Sequence, residues 1–324
     1  AAARADRAGA EAMTEDEIVK RIRELFPQRG AKIGIGDDAA VVGEQAITVD
    51  MLIEDVDFKR TYPVETIARK SLVVNLSDLA AVGASPAYAV VALGIAPWLL
   101  EKIDPFLKAL ASCARQYDID LVGGDLSRAD KTCIAITATG WIEKRPLLRS
   151  GAKPGDRIYV SRPIGASYAG LQMLERRPDN MSYALREFVD AVIARHLDPE
   201  PELQLGIALA AIDAVTACID ISDGLSTDLH HLCDASGVGA EIERARIPVF
   251  PDLTSAGPPL GIDLRKAVLH GGEEFALLFT STMREAELSA RLKRPVYAIG
   301  KIVVEREVRL DGEPLAAEGY DHFA

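Results

Sequence analysis

Cysteine is scarce in this chain of 324 residues, and Cys113, Cys133, Cys218 and Cys233 include no C-x-x-C pair. Four unpaired thiols in a chain this long make no disulfide framework, so a reducing cytoplasm is the expected setting. Histidine is equally sparse. His230-His231 lacks a third ligand at zinc spacing, and His196 and His270 read as surface or capping residues. No G-x-x-x-x-G-K-[ST] occurs, which excludes a P-loop. Arg4 and Arg7 are followed by no apolar h-region, so no secretory signal is expected. Leu79–Leu100 is free of charge, yet Gly83-Ala84-Ser85-Pro86, Gly94 and Pro97 interrupt it. It reads as a helix end, a turn and a buried strand at Ala87–Leu93 rather than a membrane span. Basic excess is also missing. Against 49 Asp and Glu stand 37 Lys and Arg, a net charge of −12. Such a chain repels a nucleic-acid backbone. Small phosphorylated ligands stay open to it, because acidic sites hold Mg²⁺ and the metal holds phosphate.

What is present is a mixture of helical and strand patterns in both halves. Residues 1–12 read as a disordered leader. Order is expected from the capping box Thr14-Glu15-Asp16-Glu17. Strands are expected at Ala46–Leu52, Ala87–Leu93, Asp120–Val122 and Thr132–Ile142, and helices at Pro63–Val82 and Ile103–Tyr117. The polar, turn-forming stretch Ser150–Asp156 marks a boundary, after which Arg157–Ser161 opens a new strand. Helices are then expected around Tyr168–Leu174, Tyr183–His196, Leu203–Ile212 and Leu225–Ala235. Strands are expected at Ala217–Ile221, Phe275–Thr280 and Ala298–Val304, with a hairpin turn at Asp311-Gly312. The expected class is α+β, with an N-terminal domain over 13–148 and a C-terminal α+β domain over 149–324 packed against it.

The carboxylates carry the chemistry. Gly36-Asp37-Asp38-Ala39, Asp50, Gly123-Gly124-Asp125, Asp220-Ile221-Ser222-Asp223-Gly224 and Gly271-Gly272-Glu273-Glu274 lie at strand ends or glycine turns. Backbone approaches a ligand closely at such places. Turn formation and N-capping explain each one separately. Asp78 is different, because a charge amid Leu76, Leu79 and Ala80 is expensive unless paired or bound to metal. No comparable set of lysines or arginines sits beside these loops in sequence, so several Mg²⁺ ions would relieve the repulsion. Gly34-Ile35-Gly36-Asp37-Asp38-Ala39 fits G-x-G-x-x-A formally, but two aspartates would oppose a bare pyrophosphate and Gly43 spoils the helix a dinucleotide site requires.

Seven blocks in order resemble the thiamine-monophosphate kinase family, within the aminoimidazole-ribonucleotide-synthetase-like superfamily. They are Gly34–Ala39, Asn75–Ala84, Gly123–Asp125, Arg149–Asp156, Asp220–Leu225, Gly271–Glu274 and Gly319–Phe323. The resemblance implies ATP-dependent phosphorylation of thiamine monophosphate, the last step of thiamine diphosphate biosynthesis. It also implies a homodimer whose N-terminal sheet pairs across the subunits. By motif, Asp38, Thr48, Val49, Asp50, Asp78, Asp125, Asp220 and Asp223 would hold Mg²⁺. Gly124, Asp125, Arg149, Ser222 and Tyr117 would meet ATP, and Asp57, Glu273 and Tyr320 the acceptor. Asp50, Asp125, Asp223 and Arg149 would be the catalytic set. One departure stands out: Asp57 in Asp55-Val56-Asp57-Phe58 replaces the family's histidine. The acceptor is a phosphate carrying roughly −1.5 to −2, already a nucleophile, so the lack of a Ser-His or Cys-His constellation suits the reaction. Two alternatives are another ATP-dependent member of the superfamily and a non-catalytic metal-binding dimer. The acceptor that stimulates ADP release separates all three.

Overall fold

The computed structural model describes residues 14–322 apart from Pro27, so the leader expected over 1–12 lies outside the described residues. The first half runs α1 (Glu15–Leu25), β1 (Ala40–Val42), β2 (Gln45–Ile53), α2 (Val64–Ala81), β3 (Ser85–Ile95), α3 (Pro97–Leu100), α4 (Ile103–Gln116), β4 (Asp120–Arg128) and β5 (Cys133–Trp141). The second half runs β6 (Arg157–Val160), α5 (Ala166–Arg176), α6 (Tyr183–Leu197), α7 (Leu203–Ala210), β7 (Val215–Asp220), α8 (Leu225–Ser236), β8 (Gly239–Ile242), α9 (Leu253–Ala256), β9 (Leu277–Ser281), α10 (Glu285–Leu292), β10 (Tyr297–Val303), β11 (Val308–Leu310) and β12 (Glu313–Pro314). The strands form two separate mixed sheets, ordered β1-β2-β5-β3-β4 and β12-β11-β8-β10-β6-β9-β7. Both halves are thus mixed α and β. Among the described residues no helix is long and apolar enough to cross a membrane.

Local chemistry accounts for many boundaries. The Thr14 hydroxyl accepts the Glu17 N–H while the Glu17 carboxylate accepts the Thr14 N–H, closing the capping box that starts α1. Asp311 and Gly312 both take positive φ, 55° and 88°, which suits the two-residue turn between β11 and β12. β4 outruns its expected end at Val122 because parallel pairing with β3 continues to Arg128. The shift of register between Ala89 and Val90 falls beside Gly124, where a Cβ would lie 1.9 Å from the Val91 carbonyl oxygen. Only glycine fits there.

α2 positions everything that follows. Its apolar residues go nearly all round, and it is buried on almost every side. One flank packs on β2 and β5, and the other meets α7 and β7 of the second half. Gly206 of α7 makes that crossing possible, because a Cβ there would stand 1.9 Å from the Ala80 carbonyl oxygen. Burying Leu72, Leu76 and Leu79 contributes about 1.5–3 kcal/mol each. The sheet face toward α2 carries Ala46, Leu52, Ile134, Ile136, Ala89 and Val91. The opposite face leaves Val49, Met51, Tyr88 and Val90 exposed, and β4 is exposed along its whole length.

Candidate active site

A cleft of about 510 Å³ opens between the two halves. Among the described residues ten acidic ones line it: Glu15, Asp37, Asp38, Asp50, Asp57, Asp78, Glu175, Asp220, Asp223 and Glu273. Among the described residues, the lysine and arginine on its wall are Lys59 and Arg149. Such an excess repels a nucleotide unless cations intervene.

The densest part of this charge is built by three elements. Asp38 comes from the loop before β1, Asp78 from the last turn of α2, and Asp220 from the end of β7. Each offers a carboxylate oxygen, and these oxygens lie within 4.8 Å of one another. Thr48 of β2 donates to Asp78, and Ser77 of α2 donates to Asp220. Burial first, then Asp38, pushes Asp220 up to about 8, with Ser77 and Arg149 opposing. Burial also raises Asp78 well above the carboxylate range, reinforced by Asp50, Asp220 and Asp38. Asp50 rises to about 6 through burial and Asp57. Asp38 is 8% exposed, and its Oδ2 is buried without a hydrogen-bond partner. Its Oδ1 accepts from Arg149 Nε at 3.1 Å and Nη2 at 2.8 Å. Asp37 accepts the Arg149 backbone N–H. Oxygen ligands crowded together, one of them orphaned, fit a hard divalent cation.

Most residues expected from sequence meet here. Asp38, Thr48, Val49, Asp50, Asp57, Asp78, Arg149, Asp220, Ser222, Asp223, Glu273 and Tyr320 all line the cleft. Tyr320 arrives because its N–H donates to the Asp223 carbonyl at 3.0 Å, while the Gly319 N–H donates to Thr227. The Asp57 carboxylate accepts the Ile53 N–H at 2.7 Å. Tyr117, Gly124 and Asp125 do not join the cleft within one chain. β5 and β3 separate β4 from β2, so three interstrand spacings, about 14 Å, divide Asp125 from Asp50.

Two residues read differently in three dimensions. His196 is a cleft residue 3% exposed rather than a surface or capping histidine, because the inward stripe of α6 carries it. His270 packs its ring against Ser226, whose hydroxyl lies 2.9 Å from Nδ1. Lys70 carries no sequence signal at all. It sits on the buried α2, and its Nζ meets Glu273 Oε1 at 2.6 Å.

The AIR synthase related protein N-terminal domain matches residues 36–142, and the C-terminal domain of the same family matches 153–313. A thiamine-monophosphate kinase of Bacillus subtilis is 36% identical, covering 90% of this chain and 93% of its own. The Escherichia coli K12 protein of that name is 38% identical, covering 90% and 92%. Among solved structures, AaThiL complexed with AMPPCP and TMP superposes with a TM-score of 0.86 at 29% identity, covering 96% of this chain and 97% of that one. The thiamine-monophosphate kinase of Stenotrophomonas maltophilia gives 0.74 at 32% identity, covering 91% and 95%.

Proposed function

The chain belongs to the thiamine-monophosphate kinase family of AIR-synthase-related proteins and is a kinase, and from that premise we propose that it phosphorylates thiamine monophosphate with ATP. An oxygen of the acceptor phosphate bonds to the γ-phosphorus in line with the departing β–γ bridge oxygen. The products are thiamine diphosphate and ADP, completing thiamine diphosphate synthesis in the cytoplasm.

The observation that carries this reading is the Asp38–Asp78–Asp220 cluster with its orphaned oxygen. Those residues, with Thr48, the Val49 backbone, Asp50 and Asp223, would hold Mg²⁺. Bound there, several such ions neutralise two polyanions that must approach each other. The chain's own groups complete the task. Arg149 spends Nε and Nη2 on Asp38, and neither bond uses Nη1. We assign Nη1 and Ser222 to the ATP phosphates, and Asp57, Glu273 and Tyr320 to the thiamine moiety. The acceptor oxygen is ionised already, so no residue needs to remove a proton.

The site is incomplete within one chain. β1 covers β2 only as far as Ile47, which leaves the β2 edge from Thr48 to Ile53 paired on the β5 side alone. β4 is likewise paired on one side. We propose a homodimer in which a partner's β4 lies against this β2 edge and covers the exposed sheet face. That arrangement brings a second chain's Gly124 and Asp125 beside Asp50, with Tyr117 at the adenine.

The test is product formation with ATP, Mg²⁺ and thiamine monophosphate, with unphosphorylated thiamine as control. Thiamine diphosphate is expected from the monophosphate only. ADP release stimulated by a different acceptor, or by none, would overturn the assignment. Asp50→Asn, Asp125→Asn and Asp223→Asn should each abolish turnover while the melting temperature stays within a few degrees.

A further inference from the structure

Glu273 is a cleft carboxylate with a counter-ion built into the chain. Its Oε1 lies 2.6 Å from Lys70 Nζ, and its Oε2 lies 3.2 Å from His196 Nδ1. The lysine is contributed by α2 of the first half and the histidine by α6 of the second. Both are sealed from solvent, at 5% and 3% side-chain exposure, whereas the Glu273 side chain keeps 31% open to the cleft. The backbone of Glu273 sits at φ 59°, a left-handed conformation that costs a non-glycine residue free energy. Its N–H is tied to the Ser222 carbonyl at 2.7 Å. A strained backbone and the buried Lys70 ammonium, with His196 packed beside it, therefore aim one carboxylate at the cleft.

We propose that Lys70 is a positioning residue which, with His196, holds Glu273 as a hydrogen-bond acceptor for the exocyclic amino group on the pyrimidine ring of the substrate. The inference rests on the kinase reading above. It separates two roles that a cleft glutamate could play toward thiamine. A lone carboxylate would attract the thiazolium charge. Paired with a buried ammonium, the unit is neutral overall, and what it offers is oxygen lone pairs in a fixed direction. A neutral amino donor suits that better than a cation. The walls agree: Tyr62 and Tyr168 line the same region, and the Tyr62 ring meets His196 edge-on, 6.4 Å between centroids at 87°. Flat aromatic walls suit a flat heterocycle. Burial alone would raise Glu273, but Lys70 and His196 outweigh it and hold the carboxyl below its ordinary range.

Steady-state kinetics on the full chain tests this, using wild type, Lys70→Met, Glu273→Gln and the double variant. The substrates are thiamine monophosphate and its analogue lacking the pyrimidine amino group. Lys70→Met is expected to raise KM for thiamine monophosphate about tenfold or more, the loss of one charge-assisted hydrogen bond. KM for ATP and kcat should change less than about twofold on the same ground, because ATP does not use that bond. The wild type should lose a similar factor on the desamino analogue, Lys70→Met should no longer distinguish the two compounds, and Glu273→Gln should add little to Lys70→Met. A lower melting temperature with unchanged KM would reduce Lys70 to a tie between domains and overturn the proposal. So would a wild type that treats both compounds alike, a result that stands even if Lys70→Met does not fold. A wild type active on neither compound would instead remove the kinase reading itself.

Discussion

Acid should unfold this protein in part through His196. The imidazole is 3% exposed, enclosed by Lys70 of α2, Glu273, Ser167 of α5 and Tyr62. Burial, helped by the Lys70 charge and opposed by Glu273, pushes its pKa down to about 4. An unfolded histidine titrates near 6.5, so the unfolded chain binds this proton more readily than the folded one. The stabilising contribution is therefore complete above about pH 6.5 and is lost as the pH falls toward 4. The difference of about 2.5 units corresponds to about 3 kcal/mol in full, and about 2 kcal/mol of it is spent between pH 7.5 and pH 5. Urea titrations at those two pH values, on wild type and His196→Gln, isolate the effect. Glu274, pushed up to about 7 mainly by burial, adds an opposite slope, but it does so in both proteins and cancels in the difference. The wild type should lose about 2 kcal/mol more than the variant on acidification. Equal losses in the two would refute the idea that His196 is held neutral in the fold.

The proposed dimer makes a complementation prediction. If Asp125 serves the site of the partner subunit, a mixture of inactive Asp50→Asn and Asp125→Asn chains should regain measurable activity after subunit exchange, because one site of each heterodimer is intact. No recovery, together with a monomer by light scattering at all concentrations, would sink the shared site. At Asp57, which caps the Ile53 N–H, Asp57→His should remain active, since a neutral imidazole can still accept that bond. Asp57→Lys should raise KM for the acceptor by repelling the thiazolium or a cleft cation, and equal KM values in the three proteins would mean that this side chain does not face the substrate.

Much of the fold was legible because periodicity and turn chemistry act locally. β2 and α4 reproduce their apolar patterns to within a residue or two, and the Thr14 capping box and the Asp311-Gly312 turn form as their side chains dictate. β8 and α10 escaped notice. β8 is four residues long, and α10 begins at Glu285 behind Arg284, which supplies no side-chain cap to announce it. The carboxylate cluster was legible for a different reason. Asp78 in an apolar helix is an energetic anomaly at the level of sequence, and such anomalies need a partner. What no local signal could supply was sheet order. That Asp125 lies across three interstrand spacings from Asp50 follows from β5 and β3 inserting between β2 and β4, a consequence of long-range pairing.

Lys70 shows the remaining limit. Within α2 it looks like one polar residue on a mostly apolar helix, and a solvated lysine is the ordinary reading of such a position. Its meaning depends on Glu273, 203 positions later in the chain, being carried back to the same cleft by the loop before β9. The two ends of the cleft then solve one electrostatic problem by different means. At the Asp38–Asp78–Asp220 end the carboxylates crowd one another, and a divalent cation bound there as proposed would lower the cost of burying them together. At the Glu273 end the counter-ion is built into the chain, so that carboxylate is neutralised before any substrate arrives. On the proposed function, the first arrangement would make charge balance conditional on the metal–nucleotide complex. The second would keep the proposed acceptor pocket formed in its absence. A cleft organised this way should bind thiamine monophosphate without Mg²⁺ but transfer no phosphoryl group until Mg²⁺ and ATP are both present. Calorimetry with and without a chelator measures that directly, and loss of thiamine monophosphate binding on chelation would show that the two ends are not independent.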